Sequence, residues 1–127
     1  MPITEPGQPR TRVIHHRGVP IMLLDYSDIL EPSEALAAIA ESKQTIAQEP
    51  AGSVRTLTYV QGARYSAPVI DALKDLTAHN KPFVRAAAVV GMNTLQRIVF
   101  RAVMAVSRRN IHTFEELEDA KDWLAEQ

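Results

Sequence analysis

Thr56-Leu57-Thr58-Tyr59-Val60-Gln61-Gly62-Ala63-Arg64-Tyr65-Ser66-Ala67-Pro68-Val69-Ile70-Asp71-Ala72-Leu73 reads as a strand that passes through a short polar loop into a helix. Its first residues are β-branched or aromatic and suit a pleated, half-buried surface. Gly62 releases the backbone for a turn. Ser66 stands where its hydroxyl would accept a bond from an orphan amide of the first helical turn. Pro68 falls inside that turn, where a missing N–H is tolerated. Val69, Leu73 and Leu76, helped by Ile70 and Thr77, then recur at helical spacing. A strand feeding directly into a helix start leaves loop side chains and free amides at the C-terminal edge of a sheet, where open α/β sheets hold their sites.

Working outward, residues 12–16 and 19–25 read as two strands about a tight Arg17-Gly18 turn, an antiparallel hairpin. The run Ile21-Met22-Leu23-Leu24 is apolar on both faces, as befits a strand covered on both sides. Asp25-Tyr26-Ser27-Asp28 closes it with polar groups. Pro32 and Glu34 open a helix whose end Pro50 marks; Leu36, Ile39, Ala40, Ile46 and Ala47 form its buried stripe. Beyond the central helix, which ends at Asn80-Lys81-Pro82, residues 83–90 form a strand in which Ala86-Ala87-Ala88 leaves room for close helix packing. Gly91-Met92-Asn93 is a second strand-to-helix turn, with Asn93 and Gln96 at capping-box spacing. That helix runs to about Arg108, and residues 110–113 form a short last strand. Thr113 and Glu116 repeat the capping-box spacing, and Leu117, Ala120 and Leu124 dock the final helix with Trp123 beside them. The order β-β-α-β-α-β-α-β-α predicts an α/β fold, a five-stranded mixed, mostly parallel sheet flanked by four helices. Residues 1–11, rich in proline, are expected to be a disordered tail, and residues 12–127 a single domain.

The totals exclude several functions. A net charge of −1 over 127 residues gives no global attraction to nucleic acid or anionic membrane. The chain has no cysteine, which excludes disulfides, thiolate metal sites and cysteine nucleophiles. No apolar run approaches the roughly 18–20 residues that span a bilayer, and no hydrophobic signal core opens the chain, so a cytoplasmic location is expected. His15 and His16 are strand neighbours facing opposite ways, and no histidine has ligand spacing to another; no metal is expected. There is no dinucleotide fingerprint or phosphate loop, hence no expected cofactor, and no G-x-S-x-G elbow. Ser66 and His79 lie roughly 20 Å apart along one helix at the standard rise. The chain is not expected to be an enzyme.

Two candidate surfaces remain. At the sheet edge, Asp25, Tyr26, Arg64, Tyr65, Ser66, Asn93 and Thr94 gather near two helix N-termini, an arrangement that suits an anionic ligand with Arg64 as charge partner. The alternative is that these loop groups only solvate the edge, with Ser66 a plain cap. The helix from Asn93 is apolar over most of its circumference, with Asn93, Arg97, Arg101 and Arg108 as a narrow polar line. Its surplus suits a partner, a twin subunit or a lipid, and Arg97, Phe100, Arg101 and Met104 are the expected interface. Charge is segregated as well. No acidic residue lies between Asp75 and Glu115, a stretch that holds Lys81, Arg85, Arg97, Arg101, Arg108 and Arg109, whereas the last helix is acidic. Nucleic acid is disfavoured because no aromatic residues interleave with the basic ones.

The element order, the hairpin start, Leu23-Leu24-Asp25-Tyr26, the strand-loop-helix at 56–76, His79-Asn80-Lys81-Pro82 and Ala120-Lys121-Asp122-Trp123-Leu124 together resemble the STAS-like proteins. These are the domains of anti-sigma-factor antagonists and sulfate-transporter tails, which share sheet topology with CRAL-TRIO lipid-transfer domains. The resemblance spans residues 12–126. It implies a non-enzymatic regulatory module that binds a protein partner or its own copy. In antagonist members a kinase modifies a serine at the start of the helix after the third strand, and Ser66 sits at the matching place. The antagonists' acidic-Ser-Ser-Gly turn reads Arg64-Tyr65-Ser66-Ala67-Pro68 here. The alternative function is a small carrier of an apolar or lipid-like ligand with an anionic headgroup near Arg64 and Asn93; an undetected hydrolase or transferase is a third.

Overall fold

In the computed structural model, which describes residues 3–107 and 111–127, the chain begins its sheet with a hairpin. Strands β1 (Thr11–His16) and β2 (Val19–Asp25) pair antiparallel, with His16 opposite Val19. Arg17 and Gly18 both take positive φ, 53° and 76°, the tight two-residue turn whose twist matches the flanking strands. Strands β3 (Val54–Tyr59), β4 (Val84–Val90) and β5 (His112–Phe114) then add in parallel, giving the order β1-β2-β3-β4-β5. Helices α1 (Pro32–Ile46), α2 (Ala67–Asn80) and α3 (Thr94–Ser107) make the three crossovers, and α4 (Leu117–Ala125) follows β5. The sheet is five-stranded and mixed, with four helices, as the alternation predicts.

Consecutive order decides which face each helix covers. Crossovers of one hand that always advance in the same direction return on the same side of the sheet. Accordingly Ala35, Ile39 and Ile46 of α1, Val69 and Leu76 of α2 and Phe100 of α3 share one core with Met22, Leu24, Val54 and Val89. Ala120 and Leu124 of α4 close the other face over Ile21, Leu23, Leu57, Ala88 and Val90. The alternation of β2 between the two cores is the period of two expected of a strand buried on both sides.

Local details depart from expectation. In α1 the buried stripe is Ala35, Ala38, Ile39, Ser42 and Ile46, whereas Leu36, Ala40 and Ala47 face solvent. The helical phase follows Ser42, whose hydroxyl lies 2.5 Å from those of both Tyr26 and Thr11. The helix ends at Ile46, and the turn that follows carries the chain to Pro50. Thr113 pairs with Val89 inside β5 and so cannot cap α4, which starts after Glu116 without a side-chain cap. Residues 3–10 run beside the hairpin: the Arg12 guanidinium donates to the Ile3 and Pro9 carbonyls and to the Thr4 hydroxyl. Met1 and Pro2 lie outside the described residues, as do Arg108, the sequence-based end of α3, Arg109, and Asn110, the sequence-based start of the last strand. Among the described residues no helix is long and apolar enough to cross a membrane.

Since α4 alone covers its face, its fully buried Leu124 carries that core. Leu124→Ala is expected to cost about 2–5 kcal/mol in urea unfolding, while Leu95→Ala, at an exposed position, stays within about 0.5 kcal/mol.

Candidate functional site

The C-terminal edge of the sheet is sewn shut by its own backbone. Tyr26 N–H donates to the Tyr59 carbonyl (2.8 Å), Asp28 N–H to Gln61 (2.8 Å), Arg64 N–H to Ile29 (3.0 Å) and Val60 N–H to Val90 (3.0 Å). Two glycines permit the close fit. A Cβ on Gly62 would stand 2.2 Å from the Asp28 carboxylate, and one on Gly91 would stand 3.0 Å from Gln61 Cβ; both have positive φ. A binding crevice at such an edge needs a point where strand order reverses, and this sheet has none.

The seven edge residues are correspondingly dispersed. Asp25 is buried and spends its carboxylate on the Ser27 N–H (3.0 Å), the Ser27 hydroxyl (2.5 Å) and the Thr4 hydroxyl. Tyr26 points into the first core, where burial pushes its pKa up against the opposing hydrogen bond from Ser42. Arg64 and Thr94 are exposed, and Arg64 pairs with no carboxylate among the described residues. Ser66 has the extended backbone of an N-cap, φ −99° and ψ 169°, but makes no capping bond, and its Oγ is buried without a partner. Pro68 removes the second amide of the helix, one of the two that a cap bonds, and Ser66 leaves the third, on Val69, unbonded.

Asn93 does cap α3, through the reciprocal pair expected from its spacing: its Oδ1 accepts from Gln96 N–H and its own N–H donates to Gln96 Oε1, both at 2.8 Å. Gln96 does more than the spacing foretells. It is buried, and its amide donates to the carbonyls of Val60 (2.8 Å) and Ala63 (2.9 Å). The start of α3 is thereby fastened to the loop between β3 and α2. Beyond that point α3 lies mainly along α2 and touches the sheet sparsely.

The space left beneath α3 is a cavity of about 90 Å³, with Thr56 and Thr58 on its floor and Tyr65, Gln96, Phe100 and Val103 among its walls. Tyr26 and Tyr65 are the two edge residues brought together there. Burial alone pushes the Tyr65 hydroxyl above its ordinary pKa. Thr56 and Thr58 were hidden among good strand formers. Their signal was positional: alternation puts both hydroxyls on the face of a central strand that helices must cover.

On α3 itself, Phe100 turns inward to the cavity, Arg97 and Met104 are half-buried, and Arg101 is exposed. The large apolar groups left in solvent are Leu95, 70% exposed, and Ile98, 58% exposed. Elsewhere, the end of the hairpin meets α4. His16 Nε2 lies 2.7 Å from Asp122, and His16, Glu118 and Asp122 bring a ligand atom each within 4.8 Å of one another. This long-range group escapes a reading by sequence spacing. Arg17 on Asp122 and Lys121 on Glu118, both at 3.2 Å, already balance its carboxylates, and the hydrogen bond from His16 holds the Asp122 carboxyl below the usual range.

A hairpin-led sheet in consecutive order, three crossover helices on one face and a single closing helix on the other define a STAS-like α/β domain. The chain belongs to the SpoIIAA-like family, whose model matches residues 21–125. No curated protein and no solved structure matches it. Membership supports a regulatory, protein-interaction role of STAS type, in a family whose domains are typically non-enzymatic.

Gln96→Leu strands two buried carbonyls, at about 1–3 kcal/mol for each unsatisfied group; a loss of about 2–4 kcal/mol in chemical denaturation is expected. The buried tyrosines set an alkaline limit. Their folded pKa values are raised above the unfolded value of about 10, so the stability they contribute is intact below pH 10 or so and lost as pH rises past it. Unfolding free energy measured from pH 8 to 11 is expected to fall above about pH 10, and to fall less steeply in Tyr26→Phe and Tyr65→Phe.

Proposed function

We propose that this protein is a non-enzymatic regulatory module of STAS type that engages a protein partner through the outer face of α3. The observation that carries this reading is the exposure of Leu95 and Ile98 on a helix whose N-terminus is otherwise firmly fastened. Beside them Arg97 and Arg101 pair with no carboxylate among the described residues. An apolar centre with unpaired cations at its rim suits an acidic partner surface. Switching by phosphorylation at Ser66 has less support, since a kinase would first have to open the turn that encloses its hydroxyl.

The cavity favours a second reading, in which the module also carries a small apolar ligand between α3 and the sheet. The two readings are compatible, because whatever fills the space beneath α3 sets how the helix presents its other side.

A photo-reactive amino acid at Ala102, an exposed position one turn beyond Ile98, is expected to cross-link one defined partner in the cells of origin. The doubly substituted Leu95→Glu/Ile98→Glu chain is expected to lose that product with an unchanged melting temperature. A product of twice the chain's mass would make the partner a second copy. Cross-linking indifferent to both substitutions would refute α3 as the docking element.

A further inference from the structure

We infer that the molecule accommodated beneath α3 is uncharged: an apolar body bearing a hydroxyl or carbonyl group, not a carboxylate, phosphate or ammonium. This rests on the reading of the cavity as a ligand site, and it replaces the anionic headgroup that the sequence suggested.

The lining supplies the first argument. Among the described residues around the cavity there is no Asp, Glu, Lys, Arg or His. An ion placed there would give up its hydration with no counter-charge among the described lining residues to replace it, which apolar interiors do not tolerate. Arg64, the cation the sequence offers for a headgroup, is exposed and outside the lining.

Helix termini, the other source of positive potential, stand outside the lining, which includes neither Ala67, Pro68 and Val69 of α2 nor Asn93, Thr94 and Leu95 of α3. At the start of α3 the Gln96 N–H is taken by Asn93 and the Gln96 side-chain amide by the Val60 and Ala63 carbonyls. At the start of α2, Pro68 has no N–H to offer.

The cavity still has hydrogen bonds to give. Thr56, only 4% exposed, and Thr58 and Tyr65 line it, and none of their hydroxyls has a hydrogen-bond partner among the described residues. These hydroxyls face the cavity, where a neutral oxygen on the ligand would take the place of water on them. Because burial holds Tyr65 protonated, its hydroxyl is available as a donor. Size narrows the class further. About 90 Å³ is less than the roughly 150 Å³ of an enclosed, wholly apolar cavity that admits benzene, so a body of a few heavy atoms fits without displacing α3.

The test uses two probes of equal length, 1-butanol and butyrate, titrated at pH 7.5 into the full chain and followed by amide NMR shifts. 1-Butanol is expected to shift the amides of Thr56, Thr58, Tyr65 and Gln96 saturably, with butyrate at least about tenfold weaker. In Thr56→Val/Thr58→Val, an isosteric change that keeps the fold, 1-butanol is expected to weaken about tenfold, the equivalent of one hydrogen bond. Butyrate binding as well as 1-butanol at these amides would overturn the uncharged class while leaving the cavity as a ligand site. Saturable shifts by neither probe would overturn both. Undiminished 1-butanol binding by the double variant would overturn the role given to the threonine hydroxyls.

Discussion

From β2 to β5 each strand is laid beside the last, always advancing in the same direction, and this one topological constraint places nearly everything else. Crossovers of a single hand then have only one face to return on, so α1, α2 and α3 crowd together there and α4 closes the opposite face alone. With no reversal of strand order, no crevice opens at the strand ends, and the loops draw together into a hydrogen-bonded rim. The crowded face is where accommodation fails. The last crossover helix has only the three residues of β5 beyond β4 to cover, and it settles along α2 with a gap beneath it. The cavity is thus a consequence of the connectivity, not an accident of individual side chains.

The architecture was legible because its signals are local and periodic. The double-faced run Ile21 to Leu24, the Arg17-Gly18 turn and the reciprocal spacing of Asn93 and Gln96 each specify a structure through neighbours a few residues away. The candidate site was less legible, for reasons visible in particular residues. Ser66 has the residue type and the extended backbone of a cap, yet makes no capping bond. Phe100 and Met104 belong to a helix that is apolar nearly all round, where composition cannot say which way the helix is turned. That rotation is decided by Gln96, a polar residue that buries itself to reach two carbonyls more than thirty positions earlier. The threonines of β3 signal by composition the strand they favour, not the face they occupy.

Family membership and geometry answer different questions. The SpoIIAA-like match bears on the role, regulation by contact. The geometry bears on where contact would be made, and it weighs towards the last crossover helix over the serine that antagonist members use. A helix that meets solvent on one side and a cavity on the other would, on the proposed reading, join recognition outside to occupancy inside through one rigid element. Such coupling requires only that an occupant favour one position of the helix over another.

The separation of charge adds a property that the net value of −1 conceals. Arg97 and Arg101 of α3 pair with no carboxylate among the described residues, whereas Arg17 and Lys121 balance carboxylates of α4, so unneutralised positive charge is concentrated along α3. In the field of a charged surface such a body feels a torque before it feels a contact. It turns its arginines towards negative potential once within the screening distance of about 8 Å at physiological salt. Orientation would then precede collision, and an encounter with an acidic surface would begin with α3 already facing it.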